Sequence, residues 1–142
     1  MVEAATGRLL GAIGTPLLWV MLGGAVGAGT RFAVTEAVAW RLGRDWTWLA
    51  TLLVNVAGCL LLGWLVGRSN QTIGDVLERG FLRGHPLMTA GVCGALTTFS
   101  TFALEVVQLG TKRPSLAAGL VALHLTLGIF AMIAGLSIGR AG

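Results

Sequence analysis

The sequence predicts an all-α integral membrane protein with four transmembrane helices, and three observations lead to this fold class. Of the 142 residues, 55% are hydrophobic and only 11% are charged, whereas charged residues make up about a quarter of a typical soluble domain. A spanning helix needs about 20 mostly apolar residues, and four such stretches occur, near 16–41, 46–67, 86–109 and 115–139. Little chain remains between them, so we expect a single four-helix membrane domain over residues 1–142.

The basic residues are divided almost equally between the two sides of the predicted bundle. One side holds Arg8, Arg68, Arg79, Arg83 and Arg140, and the other holds Arg41, Arg44, Lys112 and Arg113. Orientation normally follows an excess of Lys and Arg in the short loops of one side, and here that excess is slight. We therefore predict insertion in both orientations and pairing as an antiparallel homodimer; one fixed orientation is the alternative. The scattered positions of the basic residues argue against nucleic-acid binding.

The first span combines small residues with two charges. Pro16 suits the first turn of its helix, and no basic cluster precedes it, so we expect a retained helix rather than a cleaved signal. The glycine-rich run 23–29 suits close helix packing. Arg31 and Glu36 follow at a depth where a charge usually faces protein or water. Arg31 therefore either lies near the interface with its stem on apolar surface or reaches into a vestibule that attracts anions.

The second span carries one strongly polar residue, Asn55, near its centre. Thr51 precedes it by four residues, so the two side chains share a helix face. An asparagine amide offers two N–H donors and a carbonyl acceptor. Asn55 therefore either bonds a neighbouring helix or donates to a passing anion, and the spacing does not decide between the two.

The third span contains the stretch that is least suited to a helix, residues 91–102 (GVCGALTTFSTF). Glycine and threonine lower helix propensity, and hydroxyl groups compete for backbone hydrogen bonds. In a membrane, irregular backbone survives only where protein or water satisfies it. We therefore predict a helix broken near the middle of the membrane, with a site for an ion or a small polar solute at the break.

Aromatic and imidazole side chains accompany this stretch. Phe99 and Phe102 are three residues apart and share a face if the backbone there is helical. Phenyl edges carry partial positive charge and solvate an anion weakly, which suits a pore because a pore must release what it binds. His124 in the fourth span either bonds a neighbouring helix or lines a pathway. No phosphate loop, metal-ligand pair or activated nucleophile is evident, so we do not expect an enzyme.

Three motifs, in order along the chain, resemble those of the CrcB/Fluc family of fluoride channels. Residues 24–32 (GAVGAGTRF) look like the motif of the first helix, and residues 55–58 (NVAG) look like that of the second. Residues 91–102, followed by Glu105, are similar to the signature of the third. The resemblance implies a small four-helix protein of the inner (plasma) membrane that forms dual-topology homodimers and exports cytoplasmic fluoride passively.

The resemblance also implies site residues. Backbone carbonyls of Gly94 and Thr97, from both subunits, hold a central structural Na⁺. Phe99 and Phe102 line the fluoride path near the dimer interface, and Asn55 hydrogen-bonds near the permeating ion.

Further positions follow the pattern or depart from it. Ser100 and Thr101 are candidates for a hydroxyl track, which Thr51 extends, and Arg31 is part of the family pattern. Ala95 stands where many members have a second glycine, so any positive φ at the break must fall on Gly94. His124 stands where the resemblance leads us to expect a small polar group, and a histidine there predicts pH-dependent conductance, because its charge changes near neutrality.

A small dual-topology proton-coupled multidrug exporter is the alternative function. It shares the chain length, the four spans and the balanced charge. Its chemistry requires a carboxylate deep in the first helix, where protons exchange for cations. Glu36 lies late in that span, close behind Arg31, and so fits this role poorly.

Overall fold

The computed structural model describes the backbone of residues 2–69 and 87–142, and the side chains of 14, 16–69 and 87–142. Within these ranges every regular element is helical, which confirms the predicted all-α class. The elements are α1 (Val2–Leu42), a 3₁₀ turn (Arg44–Trp46), α2 (Thr47–Arg68), a π-helical segment (Leu87–Cys93), α3 (Gly94–Leu96), α4 (Phe99–Gly110) and α5 (Pro114–Ala141).

Four stretches of the described chain are long and apolar enough to cross a membrane. They are Pro16–Leu42, Arg44–Arg68, Leu87–Gly110 and Pro114–Ala141. The prediction of four spanning helices is confirmed at this level. The single domain stays a prediction, since part of the connection between the second and third spans lies outside the described residues.

The first helix is longer than the sequence predicts. α1 begins at Val2 and passes through Pro16, so the prediction that Pro16 opens the helix is wrong. A proline inside a helix removes one backbone hydrogen bond. Membrane helices tolerate this loss because neighbouring groups and local adjustments satisfy the freed carbonyl.

Glycines bring α2 and α5 into backbone contact. The space that a Cβ at Gly63 would occupy is taken by the Met132 carbonyl of α5, and the same holds at Gly135 for the Leu60 carbonyl of α2. Gly67 and Gly139 repeat the arrangement one turn further along. Small residues allow this close approach, which is how helices associate in lipid.

The glycine-rich run of α1 packs against the π-helical segment along one stripe only. A Cβ at Gly23 would meet the Leu87 carbonyl, and one at Gly27 would meet the Val92 carbonyl. Gly24 and Gly29 have nothing within 4 Å of that position. The run therefore positions the start of the third span, which carries the candidate site.

Candidate functional site

Two residues of the third span leave the helical conformation. Thr97 has φ −77° and ψ 152°, and Thr98 has φ −147° and ψ 110°. These extended angles lie between α3 and α4 and are ordinary for threonine. Gly94 was expected to take any positive φ at the break, but no such angle occurs there: in the described part of the chain, the positive-φ glycine is Gly43, in the turn between α1 and α2. The change of direction is made by two threonines and needs no glycine.

Asn55 of α2 bonds the backbone at this interruption. The Thr98 N–H donates to Asn55 Oδ1 at 2.8 Å, and Asn55 Nδ2 donates to the Thr98 carbonyl at 3.3 Å. In an unbroken helix the Thr98 N–H would donate to the carbonyl of Gly94, four residues earlier. The side-chain amide thus replaces the helical acceptor of the Thr98 N–H and adds a donor to the Thr98 carbonyl. Within the described residues, one of the two N–H groups on Nδ2 is left over.

Hydroxyl groups gather where α4 begins. Thr98 is the N-cap residue, and its Oγ1 accepts from the Thr101 backbone N–H at 3.3 Å. The same oxygen lies 2.9 Å from Thr101 Oγ1 and 3.3 Å from Ser100 Oγ. Thr98 is the centre of this cluster, and our sequence analysis did not assign it a role. A threonine directly before an apolar helical run is a capping signal that identifies it.

Thr51 reaches a carboxyl on α4. Its hydroxyl donates to Glu105 Oε1 at 2.7 Å, and the Thr51 side chain is buried. The second carboxyl oxygen, Glu105 Oε2, is buried and has no hydrogen-bond partner among the described residues. The predicted common face of Thr51 and Asn55 is therefore directed at the third span, but the two side chains bond different residues there.

Three rings form a row from the interruption to α5. The centroids of Phe99 and Phe102 are 5.8 Å apart, and those of Phe102 and His124 are 4.5 Å apart. Phe99 is 79% exposed on the surface of the single chain. His124 Nδ1 lies 3.0 Å from the Leu120 carbonyl, while its Nε2 is buried without a partner in the described part of the chain.

A cavity of about 360 Å³ lies at the interruption, and its walls bring together residues from α2, the π-helical segment, α3, α4 and α5. Six of the predicted site residues contribute to its walls, namely Asn55, Gly94, Thr97, Phe99, Phe102 and His124. Five others lie outside the lining: Arg31, Thr51, Ser100, Thr101 and Glu105.

These five differ in how they relate to the cavity. Ser100 and Thr101 are exposed and connect to it through Thr98, which lines the wall. Thr51 and Glu105 form a separate bonded pair between α2 and α4. Arg31 is half-buried on α1, so the choice between its two predicted roles stays open.

The cavity offers neutral groups. Its lining contains an amide, hydroxyls, aromatic rings and backbone, with His124 as its one imidazole and with two free thiols, Cys59 and Cys93. Within the described residues, no three His, Cys, Asp or Glu side chains form a group able to hold a metal ion. The lining offers carbonyl and hydroxyl oxygens to a cation, and N–H and O–H donors to an anion.

Comparison with known proteins relates this arrangement to one family. The family model described as "CrcB-like protein, Camphor Resistance (CrcB)" matches residues 18–136, a stretch that includes the whole cavity. A "Fluoride-specific ion channel FluC" of Aeromonas salmonicida is 38% identical over 122 residues, which cover 85% of this chain and 93% of that protein.

Further relatives agree. The protein of the same name from Photobacterium profundum is 40% identical, over 85% of this chain and 91% of the relative. "Fluoride-specific ion channel FluC 2" of Rhodococcus jostii is 43% identical, over 77% of this chain and 93% of the relative. The match thus extends over nearly the full length of each relative, and the chain belongs to the CrcB-like family.

Proposed function

We propose that this multi-pass membrane protein is a fluoride-selective channel that lets cytoplasmic fluoride leave the cell passively, and that it is not an enzyme. Relatives that carry the name fluoride-specific ion channel support the substrate. The observation that carries the proposal is the cavity at the Thr97–Thr98 interruption, where Asn55, Phe99 and Phe102 meet.

The chemistry of the cavity suits a small, strongly hydrated anion. Fluoride gives up its water only where donors replace that water. The unused N–H of Asn55 Nδ2 is such a donor, and the edges of Phe99 and Phe102 add weak positive potential. The hydroxyls of Ser100 and Thr101, bonded to Thr98, extend the donors along α4.

The shortage of fixed charge in the cavity lining supports passive conduction. A conducting site must bind strongly enough to admit the ion and weakly enough to release it. Neutral dipoles and ring edges meet this requirement better than a permanent lysine or arginine would. The proton-coupled exporter needs a deep carboxylate in α1, whereas Glu36 is exposed and does not line the cavity.

We also propose a structural Na⁺ held by the carbonyls of Gly94 and Thr97. The interruption supports this, because the Thr98 N–H bonds Asn55 and leaves the Gly94 carbonyl without its helical donor. Carbonyl oxygens are ligands that hard cations accept. A bound Na⁺ would supply positive potential at this neutral site.

The proposed assembly is an antiparallel homodimer in the inner (plasma) membrane. Gly94 and Phe99 are exposed on the single chain, although both lie in the wall of the cavity. A second, inverted copy would cover them and place the two interruptions against one another near the middle of the membrane. The near-equal division of basic residues between the two sides supports insertion in both orientations.

Efflux from liposomes tests the function. The purified protein is reconstituted into liposomes loaded with potassium fluoride or potassium chloride, and valinomycin starts the efflux by releasing K⁺. We expect rapid fluoride efflux and negligible chloride efflux. Equal rates for both halides would contradict a selective channel, and exchange of a cationic drug for protons would favour the exporter.

A further inference from the structure

We infer that His124 is a ligand of the permeating anion, and that it serves as one only in its protonated form. This inference rests on the proposed fluoride channel and adds a regulated donor to its pathway. It assigns to α5 a titratable donor, whereas the other cavity residues of α5, Leu125 and Gly128, offer no polar side chain.

The hydrogen bond of Nδ1 sets the tautomer of the neutral ring. A carbonyl oxygen only accepts hydrogen bonds, so the 3.0 Å contact between His124 Nδ1 and the Leu120 carbonyl places the ring proton on Nδ1. Nε2 of the neutral ring then carries a lone pair and no proton. A lone pair repels an anion, whereas protonation turns the same atom into a cationic N–H donor.

The position of Nε2 makes this change relevant to the cavity. His124 lines the cavity together with Asn55 and Phe99. Nε2 is buried and has no hydrogen-bond partner among the described residues. Burying a polar atom without a hydrogen-bond partner costs free energy, so a ligand that bonds Nε2 would remove this penalty.

The surroundings of the ring accept a positive charge. Phe102 lies with its centroid 4.5 Å from that of His124, close enough for a cation–π interaction with an imidazolium. Phe102 and Leu120, which the ring contacts, are not proposed sodium ligands.

The other titratable groups on the packed elements are few. α5 packs against α2 and α4. Of their titratable groups, Cys59 of α2 lines the cavity with His124, and Glu105 of α4 is bonded to Thr51, while Arg68 lies at the far end of α2 and Arg140 in the last turn of α5. Cys93, from the π-helical segment, also lines the cavity.

The pH profile of fluoride efflux tests the inference. The charged fraction of an ordinary histidine falls roughly twentyfold between pH 6 and pH 8. We expect the efflux rate of the wild type, after subtraction of protein-free liposomes at each pH, to fall by roughly tenfold over the same range. His124→Gln, which keeps an amide donor without a titratable proton, should show a flat profile. If His124→Gln does not fold, His124→Asn replaces it in the same measurement.

His85 provides the matched control, because the chain contains two histidines. His85→Gln should keep the pH dependence of the wild type. A flat wild-type profile, or a sloping profile in His124→Gln, would overturn the inference while leaving the fluoride channel intact. Absence of any fluoride efflux in the wild type would instead overturn the proposed function.

A second measurement separates anion binding from a purely structural role. If protonated His124 binds fluoride, fluoride must in turn favour protonation of His124. The nitrogen NMR signals of the histidines are followed during pH titrations in sodium fluoride and in sodium chloride. We expect fluoride to move the His124 transition to higher pH and to leave His85 unchanged; identical transitions in both salts would contradict binding.

Discussion

The two faces that α2 presents to its neighbours are held together in different ways. Towards α5, Gly63 and Gly67 bring backbone against backbone, and helical hydrogen bonds stay within each helix. Towards the third span, Thr51 and Asn55 use side-chain groups to bond a carboxyl and an interrupted backbone. The first contact depends on close packing of the two backbones, and the second depends on hydrogen bonds made by polar side chains.

The difference explains where an ion can be admitted. Around Gly63 and Gly67, close glycine packing leaves no room for an ion between α2 and α5, so this part of the contact supports the bundle. The polar face replaces helical bonds with side-chain bonds and leaves spare donors and carbonyls beside a cavity. Such irregular backbone is tolerated at membrane depth only where it is buried in protein or lines a water-filled space.

Gly135→Val should have the largest effect, because its side chain would collide with the Leu60 carbonyl of α2. Overpacking costs about 1–3 kcal/mol even where side chains can adjust, and a backbone carbonyl adjusts less. We expect little monodisperse protein by size-exclusion chromatography in detergent. Gly119→Val is the matched control, since nothing lies within 4 Å of that position, and it should behave as the wild type. Equal yields for the two variants would show that the contact between α2 and α5 is not essential.

Asn55→Asp should abolish fluoride efflux and also lower stability. An ionised carboxylate cannot donate to the Thr98 carbonyl, and it repels an anion in the cavity. Losing a hydrogen bond of this kind costs about 0.5–1.5 kcal/mol, so the melting temperature in detergent should fall together with the efflux. Gln108→Glu makes the same amide-to-carboxylate change at an exposed position of α4 and should retain efflux. Normal efflux through Asn55→Asp would assign Asn55 to packing alone.

Phe99→Ile should abolish efflux while the protein still folds and the dimer still forms. Phe99 is 79% exposed on the single chain, so its loss removes little packing within that chain. An aliphatic side chain also lacks the positive ring edge that favours an anion. Phe130→Ile, at a position of α5 that is 65% exposed, is the control and should conduct normally. Efflux unchanged in Phe99→Ile would remove this ring from the pathway.

Thr51→Val should have the smallest effect. The change keeps the shape of the side chain and removes the O–H that donates to Glu105 Oε1. We expect a loss of about 1–2 kcal/mol in stability, read as a lower melting temperature, with reduced but measurable efflux. Thr51→Ser keeps the hydroxyl and should lose less stability than Thr51→Val. If both variants melt like the wild type, the bond between Thr51 and Glu105 contributes nothing measurable.

Much of the site was accessible from the sequence because its residues are unusual for their surroundings. Asn55 is the single strongly polar residue of an apolar span, and residues 91–102 combine glycines and hydroxyls where a helix would otherwise continue. Both are local signals. The conformation at the interruption was not accessible from the sequence: Gly94 is the residue there that best tolerates an unusual angle, whereas Thr97 and Thr98 take extended angles that any β-branched residue accepts.

Hydropathy and length determined the four apolar spans, since the cost of placing polar groups in lipid acts on each segment separately. Tertiary structure decided which partners the polar groups find. Thr51 bonds a carboxyl 54 residues away, Asn55 bonds a backbone 43 residues away, and His124 lies against Phe102. Such contacts depend on how one helix is rotated and how deep it lies relative to another. The spacing of residues within a single helix gives no information on either.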